Sequence, residues 1–262
     1  MSYLIGLGNW PEWVIRKVGE PLLSESEWNY PNFPNNKFGA TLDGTSTLSR
    51  DDSNLFYGGP ASIKMLTDAS TGHNAKMRMM HQHLTNLYPG SKQYYLAFEM
   101  KWVQQFGFGN TQLLMGIEVH DANINEGAIK YDVTTGKMQY ETSSGVFSDF
   151  PADIGGALPI TKPTISAVAG DIPAWCRVVV DPFNKVLIGV EASGQNGKIE
   201  VRDFRVSVSN PLPALINTGS AGSLTSVIAP FVGVKTNTNN AEPAYTTDWC
   251  LSKIFPGVDP FG

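Results

Sequence analysis

Histidine is the residue most able to do chemistry in this 262-residue chain, and two of its four histidines fall in one stretch, KMRMMHQHL, residues 76 to 84. Along an extended strand residues i and i+2 share a side. His81 and His83 therefore lie together and, with His120, offer imidazole nitrogens of the kind that bind zinc. Met77 and Met79 fall on that same side, so the stretch reads equally as an apolar row continued by two histidines at a strand end. No cysteine or acidic spacing supplies the remaining zinc ligands, and no resident cofactor is expected. Calcium could sit on the loop carboxylates Asp51, Asp52 or Asp121. The second constellation is IEVHD, residues 117 to 121. There Glu118 and His120 share one side of a strand, a carboxylate beside an imidazole that could move a proton, while Asp121 lies on the other.

These residues need strands to hold them, and the sequence is rich in strand patterns. In YYLAFEMKWV, residues 94 to 103, Tyr94, Leu96, Phe98, Met100 and Trp102 form one face, with Tyr95, Glu99 and Lys101 opposite. In TQLLMGIEVHD, residues 111 to 121, Leu113, Met115, Ile117 and Val119 form the apolar face, with Gln112, Glu118 and His120 opposite. Such period-two alternation is that of a strand with one side buried. AIKYDVTTGKMQYE reads as a hairpin about Thr134-Thr135-Gly136, and WCRVVVDPFNKVLIGVEA as a second about Asp181-Pro182-Phe183-Asn184. GKIEVRDFRVSVS adds a strand with an irregularity near Arg202-Asp203, YTTDWCLSKI a last one, and three or four shorter strands precede residue 84.

About ten to twelve strands and no long helix predict an all-β protein, a two-sheet antiparallel jelly-roll β-sandwich. Residues 38–262 form that sandwich. Residues 1–37 read as an N-terminal arm with a short helix, because Asn9 can cap, Pro11 suits a first turn and Glu12 completes a capping box. Ile5, Leu7, Trp10, Trp13 and Val14 give the arm an apolar surface. The stretches 150–174 and 209–230 are rich in Pro, Gly, Ala and Ser, show no period, and read as long loops.

Composition narrows the partners. Only 16% of residues are charged and the net charge is −5, which excludes an electrostatic footprint for a nucleic-acid backbone. The first residues do not read as a secretory signal and no stretch approaches a membrane span, so a soluble protein is expected, cytoplasmic or released onto a particle or the extracellular side after lysis. Each of the two cysteines, Cys176 and Cys250, follows a tryptophan. The spacing leaves open whether they pair.

DGTSTLSRDDSNLFYGGPASIKMLT, with its G-x-x-S-[IL]-K strand, and the hairpins quoted above, one opened by W-x-[RK]-V-x-V-D, resemble the concanavalin A-like and carbohydrate-binding-module jelly rolls over roughly residues 38 to 255. That resemblance implies the sandwich fold and admits lectins, hydrolases, alginate-type lyases and particle proteins. The hydrolase pattern E-x-D-x-x-E is missing, since His120 stands where the aspartate should be. The lyase motif Q-[IV]-H is approached by Glu118-Val119-His120, which would make His120 the base, with Glu118, Arg78 and Tyr131 or Tyr140 beside it. The R-[ST]-E-L-R and Y-F-K-A-G-x-Y segments of those enzymes are absent.

A glycan-binding module would use outward side chains of a sheet, here Tyr95, Lys101, Gln112, Glu118, His120, Lys130 and Gln139. Three readings follow, in this order. The first is a non-catalytic structural protein of a virus or phage particle, such as a capsid-decorating or tail-fibre component, held to other subunits by its arm. The second is a lectin-like carbohydrate-binding module, and the third is an alginate-type polysaccharide lyase.

Overall fold

The computed structural model describes residues 20–23, 38–51, 62–68, 70, 72, 74–79, 93–105, 111–160, 164–165, 174–194, 198–223, 227–236, 243–255 and 257–261. In chain order the strands are β1 (Glu20–Leu23), β2 (Phe38–Leu42), β3 (Thr47–Asp51), β4 (Ser62–Leu66), β5 (Asn74–Met79), β6 (Tyr95–Gln105), β7 (Thr111–His120), β8 (Asn123–Asp132) and β9 (Lys137–Ser143). They continue as β10 (Val146–Ser148), β11 (Leu158–Pro159), β12 (Thr164–Ile165), β13 (Ala174–Asp181), β14 (Val186–Ser193), β15 (Ile199–Asp203), β16 (Ile216–Ser220), β17 (Val227–Thr236) and β18 (Pro243–Ile254).

They pair into two sheets, the all-β antiparallel sandwich expected from the alternation. The first runs β15-β14-β13-β6-β18-β4-β3, with β1 antiparallel to β18 and the short β12 parallel to β6. The second runs β10-β9-β8-β7-β17-β5-β2, with β11 beside β9 and β16 beside β8. Phe98, Met100 and Trp102 of the first sheet meet Met115, Ile117, Ile129 and Tyr131 of the second in one continuous core. Removing that apolar area from water is the main force holding the sheets face to face.

Several expectations map directly onto strands. The faces predicted for β6 and β7 are the buried ones: Leu96, Phe98, Met100, Trp102, Leu113, Met115 and Ile117 are at most 1% exposed. The turn between β8 and β9 uses Gly136 at φ 67°, where a side chain would be strained. Three expectations differ from the structure, the first being the 150–174 loop, which holds the short strands β11 and β12. Residues 204–206 leave β15 for a 3₁₀ turn capped by the Asp203 carboxylate, so GKIEVRDFRVSVS is a strand only to Asp203. The 209–230 stretch contains β16 and the start of β17. β17 is central, flanked by β7 and β5, and nine of its ten residues are buried. With apolar side chains on both faces it has no alternation to read. Its Pro230 sits opposite Ile117, one position beyond Phe231, where the register with β5 ends at Arg78.

Within residues 1–37, Glu20–Leu23 joins the first sheet as β1. The expected helix at residues 9 to 18, and with it Ile5, Leu7, Trp10, Trp13 and Val14, lies outside the described residues, as do His81, His83 and Asp52. Cys176 and Cys250 are both free thiols. Cys176 pairs with Met100 and Cys250 with Glu99 on opposite edges of β6, so a whole strand separates them. No helix among the described residues is long and apolar enough to cross a membrane.

Candidate functional site

The candidate residues collect on the outer face of the second sheet, the side turned away from the core. Strand register lays this face out in rows. At one end Asn74 of β5 faces Lys235 of β17, Lys235 faces Gln112 of β7, Gln112 faces Asp132 of β8, and Asp132 faces Lys137 of β9. In the next row Leu114 faces Lys130, and Lys130 faces Gln139. Then come Arg78, Phe231, Gly116 and Ala128, and after them Ala229, Glu118 and Glu126.

The third row explains why the far end is closed. An added Cβ on Gly116 would lie 2.2 Å from the Gly127 carbonyl oxygen and 2.7 Å from Phe231 Cζ. Only glycine lets the Phe231 ring lie flat across the sheet, where it is fully buried under the Lys76 ammonium, 3.7 Å from its centroid. Lys76 then reaches two carboxylates, Glu118 Oε1 at 3.0 Å and Glu126 Oε2 at 2.7 Å. Arg78 donates from Nε to Glu118 Oε1 at 2.7 Å and from a terminal nitrogen to Thr41. His120 Nε2 lies 3.0 Å from Glu118 Oε2. An ionised carboxylate only accepts, so Nε2 carries the proton there.

Glu118 is fully buried, yet it is ionised. Burial alone would raise its pKa, but the His120 hydrogen bond and the Lys76 and Arg78 charges together bring it down to about 2. Its neighbours move the other way. Burial raises Glu126, and the Glu118 charge opposite adds to that rise against the pull of Lys76. Burial also raises Glu141, to about 7. Glu141 Oε1 accepts from the Gly145 N–H, while Oε2 has no hydrogen-bond partner among the described residues.

Glu118, His120 and Arg78, proposed together from sequence, are thus together in space. Their geometry is that of a sealed ion network, because both oxygens of Glu118 are occupied and His120 is 3% exposed. Tyr131 does not join them. It pairs with Leu113 on the core side and packs against Trp102, ring centroids 6.1 Å apart, so it cannot deliver a proton to this face. Tyr140 is likewise held in an aromatic cluster with Phe150 and Phe204. The proposed glycan-binding set divides as well. Gln112, Lys130 and Gln139 stay on the open end and Glu118 and His120 are buried, whereas Tyr95 and Lys101 belong to β6 in the other sheet, with Lys101 5% exposed. Alternation tells which residues share a strand face, but consecutive strands β6 and β7 lie in opposite sheets, so their outward sides point apart. Register shows what alternation missed, the contributions of Lys76, Glu126 and Glu141.

At the open end Lys137 and Gln139 both reach Asp149, at 3.1 and 3.0 Å. Lys130 stands 5.1 Å from the Phe147 ring centroid and 3.9 Å from Asp132. Burial, with Lys235 nearby, lowers its pKa against the pull of Asp132. Gln112 and Lys235 make no side-chain hydrogen bond or ion pair with a described residue. Of the carboxylates expected to take calcium, Asp51 is the last residue of β3 rather than part of a loop, and Asp121 is bound by Lys185, the Asn123 N–H and Asn125. Among the described residues no three His, Cys, Asp or Glu side chains are arranged to hold a metal.

No protein-family model matches the chain, and no curated protein sequence matches it. Solved structures with a similar course of the chain include peanut lectin, 7% identical over 82% of this chain and 97% of the lectin, TM-score 0.45. The endo-β-1,4-glucuronan lyase of the fungus Trichoderma reesei is 10% identical over 92% and 98%, TM-score 0.47. A Bacillus subtilis protein of unknown function with a galectin-like fold is 10% identical over 91% and 99%, TM-score 0.48. At such values these proteins resemble the chain in outline only, and the two-sheet sandwich stands on its own strand pairing.

Proposed function

We propose that the chain is a non-catalytic carbohydrate-binding sandwich that takes an extended oligosaccharide along the open end of the second sheet's outer face. The observation that carries this is the cross-strand row from Asn74 to Lys137, in which Lys235 and Gln112 have no partner among the described residues. Five neighbouring strands spaced about 4.8 Å apart make a polar track roughly 20 Å long. Along it three donors, Asn74, Lys235 and Gln112, lead to the Asp132 carboxylate and then to Lys137, which reaches Asp149, and the half-buried Phe147 ring offers an apolar surface beside Lys130. Sugar hydroxyls match that mixture of donors, acceptors and ring face.

The Glu118 network supports the non-catalytic part of the reading. A lyase base must reach the proton beside a uronate carboxyl and a cation must meet that carboxylate, whereas Glu118 already occupies both Arg78 and His120. Isothermal titration of the full chain with a panel of neutral and acidic oligosaccharides tests the proposal. Binding by at least one, weakened about tenfold by Gln139→Ala or Lys130→Ala, is the expected result. Wild-type protein that binds no oligosaccharide, or binding indifferent to both substitutions, would sink it, and unsaturated product appearing in the acidic arm would restore the lyase reading.

A further inference from the structure

The opposite side of the sandwich carries a cleft of about 480 Å³ that belongs to neither the ion network nor the polar row. Its floor is the outer face of the first sheet, where Tyr95 and Ile254 pair across β6 and β18. Beneath lies a small apolar cluster of Ala97, Val179, Ile188 and Phe261, separate from the main core. Three segments wall the cleft: the β13–β14 turn, the 3₁₀ turn that follows β15, and residues 257–259.

Each wall brings a polar group that its own neighbours hold in place. Asp181 accepts from the Phe183 and Asn184 backbone N–H groups and from the Asn184 side chain. Arg205 donates to both oxygens of Asp203 and to Asp259, and these bonds raise its pKa further. Asp259 also accepts from the Phe261 N–H. The exposed Gln93 stands at the mouth and the half-buried Tyr95 ring on the floor.

We infer that this cleft is a second binding site, one that takes a small neutral hydroxyl-rich molecule of the monosaccharide or disaccharide class. The volume lies in the range of small-molecule sites, roughly 300–1,000 Å³. Fixed carboxylate acceptors, amide and guanidinium donors, and a phenol ring set between them complement a ring whose edge is hydroxyl and whose face is C–H. The chemistry argues against metal ions, anions and purely apolar molecules. A metal cation finds no group of three acidic or imidazole ligands among the described residues. An anion meets two carboxylates and a guanidinium that Asp203 and Asp259 have neutralised. A purely apolar molecule would leave the polar walls unmatched.

The inference is independent of the oligosaccharide row on the other sheet. Its test is saturation-transfer NMR and isothermal titration of the full chain with the methyl glycosides of glucose, galactose and mannose, and with glucuronate as the charged control. At least one neutral glycoside binds, and glucuronate binds more weakly. Tyr95→Ala and Gln93→Ala each weaken that binding about tenfold, and Val258→Trp, at a position 49% exposed on the wall, blocks it. Gln139→Ala leaves it unchanged, which keeps this site distinguishable from the row. Gln93→Ala and Val258→Trp alter exposed positions and keep the fold, so they remain decisive should Tyr95→Ala unfold. The inference is overturned if no neutral glycoside binds, if glucuronate is preferred, or if folded Gln93→Ala and Val258→Trp proteins both bind as wild type.

Discussion

The two ends of the second sheet's outer face are built from the same strands and differ in what their polar groups face. At the closed end Glu118, fully buried, holds Arg78, Lys76 and His120. At the open end Gln112 and Lys235 face no partner among the described residues, and the ion pair of Lys137 and Asp149 is about 40% exposed on both sides. Residue size makes the difference. Gly116, Ala128, Ala229 and Gly233 leave a trough in which Phe231 lies down and over which Lys76 closes. Gln112, Lys130 and Gln139 stand among larger neighbours and are half-buried, the Lys130 side chain being 11% exposed. On this face charge alone therefore does not distinguish the two ends; unused hydrogen-bonding capacity does.

This contrast can be broken by substitution, and the largest effect is expected at its centre. Glu118→Ala leaves Arg78, Lys76 and His120 without their shared anion, and urea denaturation should show a loss of about 3 kcal/mol. A loss under about 0.5 kcal/mol would mean that the network is only decoration. Gly116→Val forces a side chain into the Gly127 carbonyl and the Phe231 ring and should cost about 2 kcal/mol in the same measurement.

The pH dependence sharpens the comparison, because the closed end holds groups displaced in opposite directions. Glu118, depressed to about 2 from 4.5, gives stability that is present above pH 4.5 and lost as pH falls through 2. Glu141, raised to about 7, holds a proton that the unfolded chain releases, so its contribution is full below pH 4.5 and is lost as pH rises to about 7. Denaturation midpoints should peak near pH 4.5 for this cluster, and Glu141→Gln should flatten the alkaline limb, an effect on the order of 1 kcal/mol. The smallest effect belongs to the open end. Lys137→Ala and Gln139→Ala should each change stability by less than about 0.5 kcal/mol, while Gln139→Ala weakens oligosaccharide binding. A stability loss comparable to that of Glu118→Ala would erase the distinction between the ends.

Sequence pattern reached the parts of this molecule that depend on one strand at a time. β6 and β7 alternate because one face of each meets the core, and Glu118 and His120 were found two residues apart for the same reason. β17 shows no alternation because its two faces are both apolar. Glu126 and Lys76 depend on pairing between strands. One signal was available: the chain turns within Asp121-Ala122, which fixes His120 opposite Ile124 and so Glu118 opposite Glu126. No comparable local signal placed Tyr95 and Lys101 in the other sheet. That assignment depends on which strands pair across long stretches of chain.

The position of β6 sets how this chain must assemble. It is the central strand of the first sheet, yet it pairs with β13 and β18, and the Arg177 to Glu99 ion pair joins residues 78 positions apart. Its neighbours in sequence form the opposite sheet, so little of its hydrogen bonding can appear before large loops close. Chains dominated by such non-local pairing fold in roughly milliseconds to seconds rather than microseconds. The sandwich should be a slow folder, with β6 among the last strands to acquire both partners, and stopped-flow refolding combined with pulsed hydrogen exchange would record that order directly.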